Sequence, residues 1–426
     1  MRNRCWCLGI LALLLTGCVS YGEAIRQAES DLFQRAPQRA LASLESLDGS
    51  SRNRLLYLLN KGMVEHMAGD IDASISSFEA AKKFVEAFEA SSISETTGRF
   101  TVAETIGVYA GEEFEKVMLH VYQALNHLAR GDSDAARVEA LQIDLLLRKS
   151  DPDNGMAKHG GDAFARYLSG IIFESRSEWS DALIAYRKAY QAYTSMSGGY
   201  GVPLPQDLKK RLLWLTRRLG ANNENQKFRE EFGIDDVSPA GALPEGKGEI
   251  VLVLSAGLAP AKREVSSVVQ DPRSGKIFRI SLPALQMRGS RVSSVIVTAE
   301  NVGDVKAERV ESISRAANRT LQSQLPGLTA RALSRNVVKS AAANQIGKES
   351  EGLEYLVNFA SAVFENADTR SWRILPHEIY LARMALEPGT YDVQLKLGGT
   401  GRAQSYDNVT VAAGGVTVLS EYWLSH

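Results

Sequence analysis

Chemistry, if this chain performs any, must start from a short set of residues. The sequence holds six histidines: His66, His120, His127, His159, His377 and His426. His120 and His127 fall about two helical turns apart and could share a face. A metal-binding pair on one helix needs i,i+4 spacing and a further ligand. We therefore read both as packing histidines and expect neither a metal nor another cofactor. Asp151-Pro152-Asp153-Asn154-Gly155 begins like a calcium loop. Such a loop needs glycine at position six and glutamate at twelve. Here Gly155 is fifth and Asp162 is twelfth, so the stretch reads as an inter-helix loop. Gly398-Gly399-Thr400-Gly401 lacks the Lys-Ser/Thr of a phosphate loop and lies between strand patterns, so it reads as a hairpin turn. No Gly-x-Ser-x-Gly elbow occurs. A Ser/His pair meets only in the fold, and on the sequence alone no enzyme is expected.

The most unusual string is Ala367-Asp368-Thr369-Arg370-Ser371-Trp372-Arg373-Ile374-Leu375-Pro376. Asp368, Arg370, Trp372 and Arg373 place a carboxylate, two guanidiniums and an indole together. Arg and Trp dominate binding hot spots, so contact with a partner or glycan is one reading. The structural reading is favoured: Trp372 plugs one end of a β layer, while Asp368 pairs with Arg370 or Arg373 and braces the corner.

At the N-terminus, Arg2 and Arg4 precede an apolar run from Trp6 to Leu15. A spanning helix needs about 20 residues, so this run fits the apolar region of a signal peptide. It ends in Leu15-Thr16-Gly17-Cys18, which resembles the bacterial lipobox. That resemblance implies cleavage before Cys18 and acylation of its thiol. Two buried chains already suffice for stable anchoring, so residues 1–17 are expected to be a lipoprotein signal peptide and the membrane a partner through Cys18. Val19 after the cysteine implies outer-membrane sorting, facing the periplasm. Cys5 and Cys7 would leave with the signal, and the remaining chain could form no internal disulfide.

A length of 426 residues suits two or three domains. The hydrophobic share of 44% and charged share of 23% are those of a packed globular protein. Without Arg2 and Arg4 the basic residues number 47 against 50 acidic ones, a net charge of −3. Nothing there suggests nucleic acid, whose readers carry basic excess.

The elements that must carry these residues divide the chain in two, an α+β multidomain organisation. From Tyr21 to Phe232 apolar residues recur at helical spacing. Gly62, Gly69, Ser74, Phe78 and Ala81 share offsets with Ala124, Gly131, Ala136 and Ala140, and with Gly170, Phe173, Ala182, Tyr186 and Ala189. A weaker copy starts near Ala24 and passes through Ala40, Leu44 and Leu47. Small residues at these offsets let paired helices approach closely. The pattern resembles tetratricopeptide repeats over residues 18–232, with extra segments near Phe84–Glu113 and Asp144–Asp162 that interrupt a regular superhelix.

Residues 233–248, rich in Gly and Pro, read as a linker. Over 249–426, strands are expected at Glu249–Leu254, Lys276–Leu282, Val292–Thr298, Val305–Val310, His377–Leu386, Thr390–Leu397, Ser405–Val411 and Gly415–Tyr422. A helical insertion over about 312–366 separates them, with helices at Ser312–Ala343 and Glu351–Phe364. Alternation in Tyr391–Leu397 marks a sheet with one face on a core. We expect a β-sandwich-like domain.

The stretches YAGEEFEKVMLHVYQALNHLARGDSDAARVEA and ADTRSWRILPHEIYLARMALEPGTYDV resemble a family of uncharacterised proteobacterial lipoproteins with tetratricopeptide-like repeats. Its members are encoded near lipoproteins resembling activators of peptidoglycan synthases, which implies an envelope role. The expected function is a lipid-anchored scaffold that binds protein partners through its repeats. The alternative is a peptidoglycan or carbohydrate binder that would display Tyr391, Tyr406, Tyr422 and Trp423 on one sheet face.

Overall fold

The computed structural model describes residues 21–48, 51–94, 107–150, 162–195, 201–234, 246–270, 277–346 and 367–424. Cys18, the Asp151–Gly155 loop, His159, His426, most of the linker and the helix expected at Glu351–Phe364 lie outside the described residues.

The first half is a series of helical hairpins: α1 Tyr21–Phe33 with α2 Pro37–Glu45, α3 Arg54–Met67 with α4 Ile71–Ser94, α5 Glu113–Ala129 with α6 Ser133–Ser150, α7 Asp162–Ser175 with α8 Trp179–Thr194, and α9 Gln206–Arg218 with α10 Asn222–Phe232. All five turn alike. Arg35, Gly69, Gly131, Ser177 and Gly220 adopt positive φ. Each bonds its N–H three residues back, and the following N–H reaches five back, as Gly69→His66 with Asp70→Glu65 and Gly220→Arg217 with Ala221→Thr216. This double closure satisfies carbonyls that a helix end leaves orphaned. The next helix then starts with the same bond, Ala40→Ala36, Ser74→Asp70, Ala136→Asp132, Ala182→Glu178 and Asn225→Ala221.

Packing within the hairpins explains the small residues. The Phe78 ring lies over Gly62, where a Cβ would come within 2.6 Å of it, and the Tyr186 ring lies over Gly170. In the third hairpin the corresponding pair, Ala124 and Ala140, is small on both sides and fully buried. From Arg35 to Gly69 is the tetratricopeptide period of about 34 residues; the later turns, at Gly131, Ser177 and Gly220, are spaced more widely. The fifth hairpin carries Leu213, Asn225 and Arg229 at the shared offsets, so its sequence hid it. Its second helix, NNENQKFREEF, buries only Phe228 and gives the stack a polar end, as terminal repeats require.

The second half comprises β1 Gly248–Ala256, β2 Ala261–Gln270, β3 Ile277–Gln286, β4 Ser294–Ala299, β5 Gly303–Lys306, β6 Glu308–Ser312, α11 Ile313–Ile346, β7 Glu378–Leu386, β8 Gly389–Gly398, β9 Arg402–Val411 and β10 Val416–Trp423. One sheet has the order β10-β1-β7-β6, another β5-β4-β8-β9, and β2-β3 form a separate ribbon. Among the described strands only β1 and β10 pair in parallel. The strand expected at Val305–Val310 breaks at buried Ala307, so β5 and β6 belong to different sheets. β2, AKREVSSVVQ, has no apolar face legible in its sequence; Val265 and Val268 are exposed.

β1 is buried at every position, and two cores explain why. Ile250, Leu252, Leu254 and Ala256 meet Val295, Val297, Leu395 and Leu397 of the other sheet. Val251 and Val253 join Ile379 and Leu381 in the core of the helical half. A strand buried on both faces reads as an unbroken apolar run, whereas β8, half solvated, alternates. The helical half and the first sheet thus share one core.

Candidate functional site

The first helices of the second to fifth hairpins face that sheet. His66 of α3 bonds Ser420 Oγ through Nε2 at 3.0 Å. Tyr122 of α5 pairs with Ser255 Oγ at 2.7 Å. Asn60 Oδ1 accepts the Ile374 N–H at 3.3 Å, and Arg211 of α9 donates to Glu249 at 2.8 Å. The inner face that the repeats present together is filled by the chain's own β10-β1-β7-β6 sheet.

The string Asp368–Arg373 is the seam between the two halves. Arg370 holds Asp368 through Nε at 2.9 Å and Nη2 at 2.7 Å, and its Nη1 donates to the Gly107 carbonyl at 2.7 Å. Burial alone would raise the Asp368 carboxyl, but Arg370 outweighs it and holds it below the usual range. Trp372 is 1% exposed. It meets Phe78 and Tyr122 edge-on, with centroids at 5.9 and 6.4 Å, and its backbone N–H donates to Glu115 at 2.7 Å. The indole therefore fills the core of the helical half, beside the Phe78 ring that lies over Gly62, and not the end of a β layer. Arg373 pairs with Glu29, not with Asp368.

A knot of charge, unmarked in the sequence by any motif, lies at the same junction. Arg383 of β7 forks onto Glu249 at 2.9 and 2.6 Å and reaches Glu174 and Asp207 at 3.3 Å. Arg211 bonds Glu174 and Glu249, and Tyr186 also donates to Glu174. Burial would raise Glu174, but the two arginines reverse that and hold it below its ordinary value. Partners scattered over five elements leave no local spacing to read.

His120 and His127 do meet around one group. His120 Nδ1 lies 2.7 Å from Glu139, so it is a polar partner and not a packing ring. Glu79, His127 and Glu139 could each offer a metal one ligand atom, all within 4.8 Å of one another. The Lys82 ammonium already sits 2.6 Å from Glu139 and 2.8 Å from Glu79. It supplies the positive charge there.

Ser314 and His377 are hydrogen-bonded through Oγ and Nδ1, and Glu378 lies 3.9 Å from His377 Nε2. The residue types are those of a hydrolytic triad, yet Ser314 is 1% exposed and leads into α11. Its hydroxyl and the Ser314 N–H, which bonds the His377 carbonyl at 3.4 Å, tie the helix start to β7.

Tyr391, Tyr406, Tyr422 and Trp423 do not form one displayed face. Trp423 is buried in the inter-sheet core, and Tyr422 points the other way, donating to the Gly257 and Ile374 carbonyls. Tyr406 donates to Glu421 and Tyr391 to the Glu387 carbonyl. The exposed apolar residues lie elsewhere. Val138, Leu141 and Leu145 of α6 are 50%, 45% and 62% exposed, with Ile184 of α8 at 45%. Spacings of three and four put the α6 trio on one helix face. Among the described residues no helix is long and apolar enough to cross a membrane.

No family model matches the sequence, and no curated protein matches it. Similar solved structures include a MamA segment from Desulfovibrio magneticus RS-1, at 15% identity over 50% of this chain and 96% of that one, TM-score 0.30. A tetratricopeptide repeat protein from Parabacteroides merdae is 13% identical over 52% and 71%, TM-score 0.32. The Rap conjugation gene regulator of plasmid pLS20, in complex with the Phr* peptide, is 10% identical over 52% and 56%, TM-score 0.28. The repeat assignment rests on the five matching turns.

Proposed function

We propose that this protein is a lipid-anchored envelope scaffold that works by contact and not by turnover, holding protein partners on the outer faces of its helical hairpins. The observation that carries this reading is the exposed stripe Val138, Leu141 and Leu145. The inner face is occupied internally, so a partner must dock outside, and apolar side chains on an outer helix face are where it gains most. The two facing sheets, which we read as a β-sandwich, act as the keel that keeps the hairpins in place. Acylated Cys18 would hold the protein on the outer membrane, facing the periplasm, and the family resemblance supports a role in outer-membrane or peptidoglycan-related assembly.

Site-specific crosslinking from position 141 in intact cells tests the docking face. A discrete adduct, lost when Leu145 is changed to Asp, is expected; crosslinks of equal yield from exposed positions on α2 would refute it. Failure of a palmitate analogue to label the protein would remove the anchor. Pelleting with purified sacculi separates the alternative: binding that needs only the β half would replace the scaffold reading.

A further inference from the structure

A cleft of about 660 Å³ opens between the start of α9, the β5–β6 crossover and β7. We propose that it binds an extended acidic peptide, which adds to the sheet as a strand along the open edge of β7.

The edge exists because β5 and β6 change sheets. β6 pairs with β7 only as far as Glu308 opposite Leu381. β7 continues to Leu386, paired throughout with β1 on its other side. Beyond Leu381 the chain turns at Ala307, whose N–H bonds Val295 of the other sheet at 2.9 Å. Among the described residues, Ala382–Leu386 therefore pair with a strand on one side only. Such an edge offers a row of N–H and C=O groups to another chain, and peptide recognition by strand addition uses them. The gap begins inside the cleft, where Leu381, Ala382 and Arg383 line its wall.

Charge selects the peptide. Six charged residues line the cleft: Lys210, Lys306, Arg309, Arg383, Asp207 and Glu308. Four are committed to internal partners. Arg383 and Asp207 belong to the buried knot, Glu308 accepts the Gln206 N–H at 2.9 Å at the start of α9, and Arg309 pairs with Glu378 at 2.8 Å. Lys210 and Lys306 are exposed, and among the described residues neither has a carboxylate partner. The cleft thus keeps two lysines without an internal carboxylate, one on α9 and one at the end of β5. A strand carrying carboxylates on alternate residues matches them, because side chains of one face repeat every second residue. The inference stands apart from the α6 docking face.

The test uses the full-length protein in detergent and fluorescein-labelled heptapeptides that alternate Glu and Val, or Lys and Val, with an acidic version N-methylated at alternate residues. Anisotropy is expected to give the Glu/Val peptide an affinity about tenfold above that of Lys/Val, with the K210E/K306E variant losing about that factor, as rim charges allow. N-methylation is expected to abolish binding. Hydrogen exchange should slow within Ala382–Leu386 when the Glu/Val peptide is present. Equal binding of the two charge types, equal binding by the variant, undiminished binding of the N-methylated peptide, or protection confined to other strands would each overturn the proposal. Undiminished binding after N-methylation would identify a site for small anions instead.

Discussion

Glu29 of α1 and Arg373 of the seam form a two-bond fork, at 2.9 and 2.7 Å, across 344 residues of sequence. Arg288 shares the same carboxylate at 2.6 Å and also bonds the Ala259 carbonyl. The first hairpin is thereby tied to the last quarter of the chain.

Glu29→Ala leaves two guanidiniums without their carboxylate. Breaking a largely buried pair costs about 3–5 kcal/mol, and the loss is expected as a lower urea midpoint with unchanged slope. Because the halves share one core, loss of helical and of sheet signal should coincide. Two separated transitions would show that the seam does not couple them.

Gly170→Ala forces a methyl group into the Tyr186 ring. Overpacking of this kind costs about 1–3 kcal/mol. Thermal denaturation of the variant checks it, and a neutral result would mean the hairpin can spread.

Arg383→Met removes one cation from a knot in which Glu174, Glu249 and Asp207 remain. A loss of about 3–5 kcal/mol is expected, larger than for Arg383→Met combined with Glu249→Gln, because contacting residues couple. A double-mutant cycle by chemical denaturation gives the comparison; strict additivity would contradict the shared network.

Stability should fall in acid in two stages. Burial holds His66 below the ordinary histidine value of about 6.5, against the opposing Asn126 bond. Its folded value lies below its unfolded one, so its contribution is present above about 6.5 and lost as pH falls. Glu174 is likewise lowered, and so is Asp207, where the arginines outweigh burial. Their contributions are present above about pH 4, the unfolded carboxyl range, and are lost below it. Glu115, raised by burial and by Glu112, works in the opposite sense and softens the second stage. Burial lowers His127 and His377 in the same sense, so in midpoints measured from pH 8 to 3 a His66→Gln variant should shrink the first stage and leave the second unchanged.

Local rules reach the turns at Gly69 and Gly131, where glycine suits positive φ and a small residue stands seven positions earlier, and the shared offsets Gly170, Ala182 and Tyr186 reach the hairpin that turns at Ser177. They fail for the fifth hairpin, where Leu213 replaces the small residue. β1 is legible because a strand buried on both faces is simply apolar, and β8 because it alternates. β2 is not, because a paired ribbon with exposed valines carries neither pattern.

The residues of Asp368–Arg373 are conspicuous as types, but their roles depend on partners far along the chain. Nothing local distinguishes an arginine that meets Glu29 from one that meets a ligand. The knot of Arg211, Arg383, Glu174, Glu249 and Asp207 was invisible for the same reason, and so was the cleft beside it. Periodicity and turn chemistry act over a few residues, and they determined the hairpins and most strands. Which face those hairpins bury, and which edge the sheet leaves open, follows from long-range packing of one half on the other. That packing closes the inner surface that the hairpins would otherwise present.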